Sequence, residues 1–298
     1  MFKKQWLFFI PLILAAAVCR AENKINPESD QQISDFSLSG FGERGKKSWD
    51  LNGKSADIFT DTVRLKDIVG NMYGEKENIK LTANKGDFDK KDGKMHLEEN
   101  VVITTSSGAK LTTNSLDWDR KNNLVQTKDP VNIERQNMMT QALGATGHTD
   151  LKQVTLEKNV QVNIKPVDEN KPRGDINKNK ITITCDGPLE IDYDKNVAKF
   201  SNNVKVDRED SQIYSDTMEV YFSPGKEKNQ GEANKEAGVM TSSIEKIVSK
   251  GNVKIVRGEN VSYSEEAVYT ASDRKITLLG KPRLIIYSAE DMNASSGN

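Results

Sequence analysis

Phe200-Ser201-Asn202-Asn203-Val204-Lys205-Val206 is the stretch whose reading decides the fold. Apolar and polar residues alternate through Val204-Lys205-Val206, which gives a strand one dry face and one wet face. Asn202-Asn203 precedes that run, and asparagine tolerates and locally bonds the backbone of tight turns. Working outward, the same order of features recurs: an apolar or aromatic residue, an Asp, a polar turn, an alternating strand, then Asn or Pro and a second alternating strand. Tyr193-Asp194 leads through Asn196 to this stretch, and Phe88-Asp89 leads through Asp92-Gly93 and Met95-His96-Leu97 to Asn100-Val101-Val102-Ile103. Trp118-Asp119 leads to Pro130-Val131-Asn132-Ile133, Thr149-Asp150 to Asn159-Val160-Gln161-Val162, and Ser272-Asp273 to Pro282-Arg283-Leu284-Ile285-Ile286. The intervals 89→100 and 119→130 are equal, as are 150→159, 194→203 and 273→282. Gly251-Asn252-Val253-Lys254-Ile255 repeats the second half alone. This predicts an all-β chain of stacked antiparallel hairpins, each with an apolar face that only its neighbours can cover. Pro130 and Pro282 are expected at strand entry, where a missing N–H is tolerated.

The composition narrows the function classes. With 43 Lys+Arg against 44 Asp+Glu, no net field draws the chain of 298 residues to nucleic acid. The hydrophobic share of 35% is low for a globular protein and fits a thin core with much solvated strand surface. Lys3-Lys4 followed by the apolar run Trp6 to Val18 and small residues is a secretory pattern, too short for an ordinary membrane span. Cleavage after Ala17 or Ala21, retention as a short anchor, and lipid attachment at Cys19 are the outcomes that residues 1–21 allow. Cys185 is the one cysteine beyond that segment, so no internal disulfide is expected after cleavage.

Chemistry-bearing constellations are few. His96 and His148 lack metal-ligand spacing with each other or with Cys185. Gly40-Phe41-Gly42-Glu43-Arg44-Gly45-Lys46-Lys47 imitates a phosphate loop, but Lys47 stands where Ser or Thr would bind the metal, and strand rather than helix follows. Asp117 and Asp119 flank Trp118, and Asp192 and Asp194 flank Tyr193. Paired acids of this kind could form a glycosidase site, yet their recurrence at matching places favours a turn-forming role. No catalytic residue, cofactor or metal is expected. The residues alone leave open a secreted structural β-solenoid or surface scaffold with a closed core and a carbohydrate-active β enzyme.

The first half resembles the LptC-type periplasmic component of lipopolysaccharide export. The residues that carry the likeness are Phe36, Gly42, Trp49-Asp50-Leu51, Val63-Arg64-Leu65-Lys66-Asp67-Ile68, Leu116-Asp117-Trp118-Asp119 and Pro130-Val131-Asn132-Ile133. The second half resembles the OstA/LptA type through Ile181-Thr182-Ile183, Phe200 to Val206, Tyr214-Ser215-Asp216, Gly251 to Ile255 and Ile276 to Pro282. The resemblance implies two tandem open β-jellyrolls, like folded taco shells, over 33–165 and 181–287. A linker over 166–180, a mobile loop over 224–243 and a frayed tail over 288–298 complete the expected organisation.

The same resemblance implies a periplasmic bridge that shields lipopolysaccharide acyl chains between an inner-membrane ABC transporter and the outer membrane. It further implies possible attachment to the inner membrane through the N-terminal segment. Groove candidates in the first half are Trp49, Leu65, Leu97, Val101, Ile103, Trp118, Val131, Ile133, Val160 and Val162. Those in the second half are Ile183, Phe200, Val204, Val206, Val220, Phe222, Val253 and Ile255. Edge contacts are expected from Phe36 and Leu38, facing the transporter permeases, and from Leu284 and Ile286. The latter pair would face a further bridge or outer-membrane translocon β-jellyroll, or a second copy head to tail.

Overall fold

The structure is a computed structural model that describes residues 29–287 apart from 43–44, 75–76, 120, 136, 149–152, 166–179, 223–243 and 274. The N-terminal segment, almost all of the expected linker, the 224–243 loop and the 288–298 tail therefore lie outside the described residues. Every regular element described is a β-strand, in one antiparallel sheet. The first nine are β1 (Gln31–Phe41), β2 (Lys47–Ile58), β3 (Thr62–Tyr73), β4 (Asn78–Asp89), β5 (Lys94–Thr105), β6 (Lys110–Asp119), β7 (Leu124–Arg135), β8 (Met138–His148) and β9 (Gln153–Ile164). They pair in chain order. β10 (Ile181–Cys185) and β11 (Leu189–Asp192) lie end to end between β9 and β12 (Val197–Arg208). β13 (Ser211–Phe222), β14 (Ile244–Arg257) and β15 (Asn260–Thr270) follow, and β16 (Lys275–Leu279) and β17 (Arg283–Ile285) share the far side of β15.

The repeat differs from the one expected. The Asn that was read as a turn between two strands sits inside one long strand. Asn100 is within β5, Asn159 within β9, Asn203 within β12 and Asn252 within β14, each with positive φ. At these points the ladder slips because the strand carries an extra residue against its neighbour. Asparagine enters the left-handed region at low cost, so the strand kinks without losing the pairing on either side. Pro130 likewise stands at the slip inside β7 rather than at a strand start, where the bulge needs no N–H from it. Pro282 fills the gap between β16 and β17, beside Gly280 and Lys281 with positive φ.

The Asp residues are the true turn formers. Asp89 Oδ1 accepts from the backbone N–H of Lys91 and Asp92, and Asp119 Oδ1 accepts from that of Asn122. In the fourth copy this role belongs to Asp192, which accepts from Lys195 N–H, not to Asp194. That shift of two makes Asp192→Asn203 the same interval as Asp89→Asn100 and Asp119→Pro130, while 150→159 and 273→282 keep the shorter one. The expected phosphate-loop imitation closes the β1–β2 hairpin, with Gly42 N–H donating to Lys46 C=O.

The kinks align into a crease that folds the sheet into two wings. Residues flanking three of the kinks are among the most enclosed of the described residues: Leu97 and Val101, Leu156 and Val160, Phe200 and Val204 are all at most 1% exposed. The intervening strands offer smaller residues there, Ala83 with Gly86, Ala142 with Ala145, and Ser264 with Ala267. A Cβ on Gly86 would stand 2.6 Å from Ile68 Cδ1 and 3.0 Å from Leu97 Cδ2, so a larger residue there would make those two side-chain ends shift. One apolar cluster spans Phe36 to Leu116 and a second spans Val131 to Phe222. The second runs across the segment expected as a linker, because β9 pairs with both β10 and β11.

Near the first hairpin, Asp50 is buried and accepts from Asn71 Nδ2, Tyr73 Oη and Asn52 Nδ2, with Lys47 Nζ at 2.9 Å. Donation from Asn71, then from Lys47 and Tyr73, holds its carboxyl well below the usual carboxylate range. A depressed native value stabilises the fold above the unfolded Asp value of about 3.9, and this contribution is lost as pH falls through the native value. Asp50→Asn is expected to flatten the fall in stability on acidification below about pH 4, read by denaturant titration at several pH values. Asn159→Val, which forces a β-branched side chain to a φ of 50°, is expected to lose about 1–3 kcal/mol. Asn159→Gly should stay within about 1 kcal/mol of the parent in the same measurement.

Candidate functional site: a concave apolar face and its mouth

Among the described residues, the inner face of the folded sheet gathers both apolar clusters. Each strand alternates, so its inward residues form a row that runs from one wing tip through the crease to the other. The candidate groove residues sort into two groups along these rows. Leu65, Leu97, Val101, Val131, Val160, Val162, Ile183, Phe200, Val204, Val206, Val220, Phe222 and Val253 are buried, packed by other side chains. Trp49, Ile103, Trp118, Ile133 and Ile255 are only partly buried, nearer the wing tips. The first group forms the floor, already covered by protein. The second is where apolar surface is still available to a ligand.

The rows end in polar residues. In β7 the inward series Val131, Ile133 continues to Arg135. Beyond β5, Ile103 and Thr105 continue to Ser107. On the opposite wing, Leu189 and Ile191 of β11 continue to Tyr193. Arg135 Nη2 donates to Ser107 Oγ at 3.1 Å, and Ser107 N–H and Oγ both donate to Glu77 Oε1. Tyr193 packs against the second apolar cluster, and burial pushes its hydroxyl up, with Arg135 opposing and Glu77 reinforcing the shift. Tyr193 thus lies within electrostatic reach of groups on the facing wing tip, which marks where the two wings approach each other across the mouth. The sequence reading missed Arg135, Ser107 and Tyr193 as rim residues. Extending each alternating row by one or two steps past its last apolar residue would have found them.

The edges flank this face. β1 pairs only with β2, and β16 and β17 only with β15, so among the described residues both ends of the sheet present an unpaired strand. Leu38, Leu284 and Ile286 are exposed at 52%, 56% and 69%, whereas Phe36 is turned into the first cluster against Gly53.

Elsewhere the polar groups are structural. His96 bonds Asp117 at 2.6 Å through Nδ1 and Glu98 at 3.0 Å through Nε2; Asp117 and then Glu98 raise its pKa against the opposing effect of burial. Cys185 is buried in the second cluster, and burial pushes its thiol up, away from reactivity. Among the described residues no three His, Cys, Asp or Glu are grouped to hold a metal, and no helix is long and apolar enough to cross a membrane.

Comparison with known proteins bears on what occupies this face. Residues 9–165, just over half of the chain, match the family model described as lipopolysaccharide-assembly, LptC-related. Residues 182–298 match that of LptA/(LptD N-terminal domain) LPS transport protein. No curated protein matches the chain. Among solved structures it is similar to LptH, the LptA-homologous periplasmic component of the conserved lipopolysaccharide transport device from Pseudomonas aeruginosa. That likeness is at 9% identity, covering 60% of this chain and 95% of that one, with a TM-score of 0.28. With an LptC-related module and an LptA-type module in tandem, arranged as one folded antiparallel sheet, the chain belongs to the LptC-related lipopolysaccharide-assembly family.

Proposed function

We propose that the chain is a periplasmic bridge component that carries lipopolysaccharide with its acyl chains against the concave face. The observation that carries this reading is the row of half-buried inward residues, Trp49, Ile103, Trp118, Ile133 and Ile255, above a floor that other side chains already fill. Each CH₂ kept from water is worth about 0.8 kcal/mol, so a lipid with several long chains faces tens of kcal/mol in aqueous transit. An apolar face without a strong central anchor removes most of that cost and still lets the lipid move on. In this reading the chain is a transport protein, and the carboxylates of Asp89, Asp119 and Asp192 serve as turn formers that accept from backbone N–H groups.

The tandem order supports a direction. The LptC-related half would sit toward the inner membrane, held there by the N-terminal segment and engaging the permeases of an ABC transporter through β1. The β16–β17 edge would receive the next β-jellyroll by strand addition. Such head-to-tail pairing is heterologous and can extend. The segments 33–165 and 181–287 act in this reading as two stations on one track, joined by the β9–β10 and β9–β11 ladders.

Two measurements test it. A photoreactive residue at Ile133 or Ile255 is expected to give a lipopolysaccharide adduct in cells, while one at outward Lys250 gives none; a folded protein with no adduct at either inward position refutes the groove. Leu284→Glu with Ile286→Glu is expected to abolish co-purification with a following bridge component while leaving the adduct at Ile133 intact. Unchanged co-purification would remove the C-terminal edge from the assembly.

A further inference from the structure

We infer that the mouth of the second apolar cluster holds a phosphate group of the lipid, bound by Arg135 with Ser107 and Tyr193 around it. The inference rests on the groove reading above and names the part of the ligand that this rim would recognise. Arg135 ends the inward row of β7, so its guanidinium stands at the boundary between the apolar face and water. Its Nη2 is anchored by Ser107 at 3.1 Å, while its Nε is buried without a hydrogen-bond partner. A buried N–H with no acceptor is unfavourable, and an arriving anionic oxygen relieves it. Among the described residues no carboxylate lies within ion-pair distance of Arg135, and Glu77 is engaged by Ser107. The cation is therefore fixed in position with its fork only partly used.

The shape of the surroundings selects the ligand. Ile133 and Met138 pack on the cluster on either side of Arg135 in sequence, and Ile191 and Tyr193 pack on it from the facing wing. A ligand seated here must be apolar beneath and anionic at the rim. A phosphorylated acylated sugar has that order of parts, and the planar guanidinium matches a phosphate by paired N–H···O bonds. Tyr193 adds a hydroxyl from the opposite wing, so the group would be held between wings rather than on one. The place also spans both halves: Arg135 and Ser107 belong to the LptC-related half and Tyr193 to the following one. A weak charged contact there would mark the lipid's position on an otherwise featureless apolar track.

The test uses the full chain and two probes in mixed micelles, lipid A carrying its phosphates and the same lipid after phosphatase treatment, with binding followed by titration. The parent is expected to prefer the phosphorylated lipid. Arg135→Gln is expected to weaken binding of the phosphorylated lipid roughly tenfold, the scale of one lost hydrogen bond to a charged group, and to leave the dephosphorylated lipid unaffected. Arg135→Lys, which keeps the charge without the fork, should fall between, and it serves if Arg135→Gln lowers the unfolding midpoint. Equal loss for both lipids, or no loss for either, overturns the phosphate site while leaving the groove in place. Displacement by millimolar inorganic phosphate alone overturns the lipid as its source. A parent that takes up neither lipid fails the groove reading itself.

Discussion

The rest of the structure depends on a backbone constraint: the long strands must kink at mid-length without giving up their ladders. Left-handed residues make this possible, because a single extra residue at φ near 50–65° turns the chain while pairing resumes on both sides. Asn is used at most of these points, and Pro130 at one where no N–H is called for. Because the kinks fall on alternate strands at matching positions, they add up to a crease, and the crease makes two wings from one sheet. The wings in turn create an inside. A flat sheet of the same residues would expose its whole apolar face.

Packing at the crease then divides the apolar residues by task. Bulged strands put buried side chains beside the kinks, such as Phe200 with Val204, and the neighbouring strands meet them with small residues at some places, Ala83 with Gly86 and Ala142 with Ala145, and with Leu189 and Met218 against Phe200. The crease is thereby filled by protein, and the half-buried inward residues Trp49, Ile103, Trp118, Ile133 and Ile255 lie away from it. The buried hydroxyls of Ser215 and Ser264, without partners there, show that small volume at the crease outweighs the modest cost of an unbonded hydroxyl. The gradient from filled floor to half-open flank to polar rim is what a carrier of long-chain amphiphiles needs. It arises from one repeated strand rather than from a dedicated pocket.

Continuity across the two halves follows from the same geometry. β9 pairs with β8 on one side and with the split strand β10–β11 on the other, and the second cluster takes residues from both halves. The family boundary near residues 165–182 is therefore not a boundary of the sheet. The break between apolar clusters lies earlier, between Leu116 and Val131.

Much of this was already written in the sequence. Period-two alternation around Val204 or Val101 fixes strand and face, since no other regular structure repeats every second residue, and it made Phe200, Leu97 and Val253 legible as inward. The Asp of each repeat was legible as a turn former for the same local reason, although Asp194 was mistaken for Asp192 because both flank Tyr193. What stayed hidden was long-range. Asn between two alternating runs looks the same whether it reverses the chain or bends it, and only the ladders on both sides of Asn100 or Asn203 decide between them. Nor could spacing tell that Tyr193 lies within electrostatic reach of Arg135, residues far apart in the chain and on opposite wings. Local alternation determined which side chains point inward; the accumulated bend, a property of neighbouring strands acting together, decided what they face.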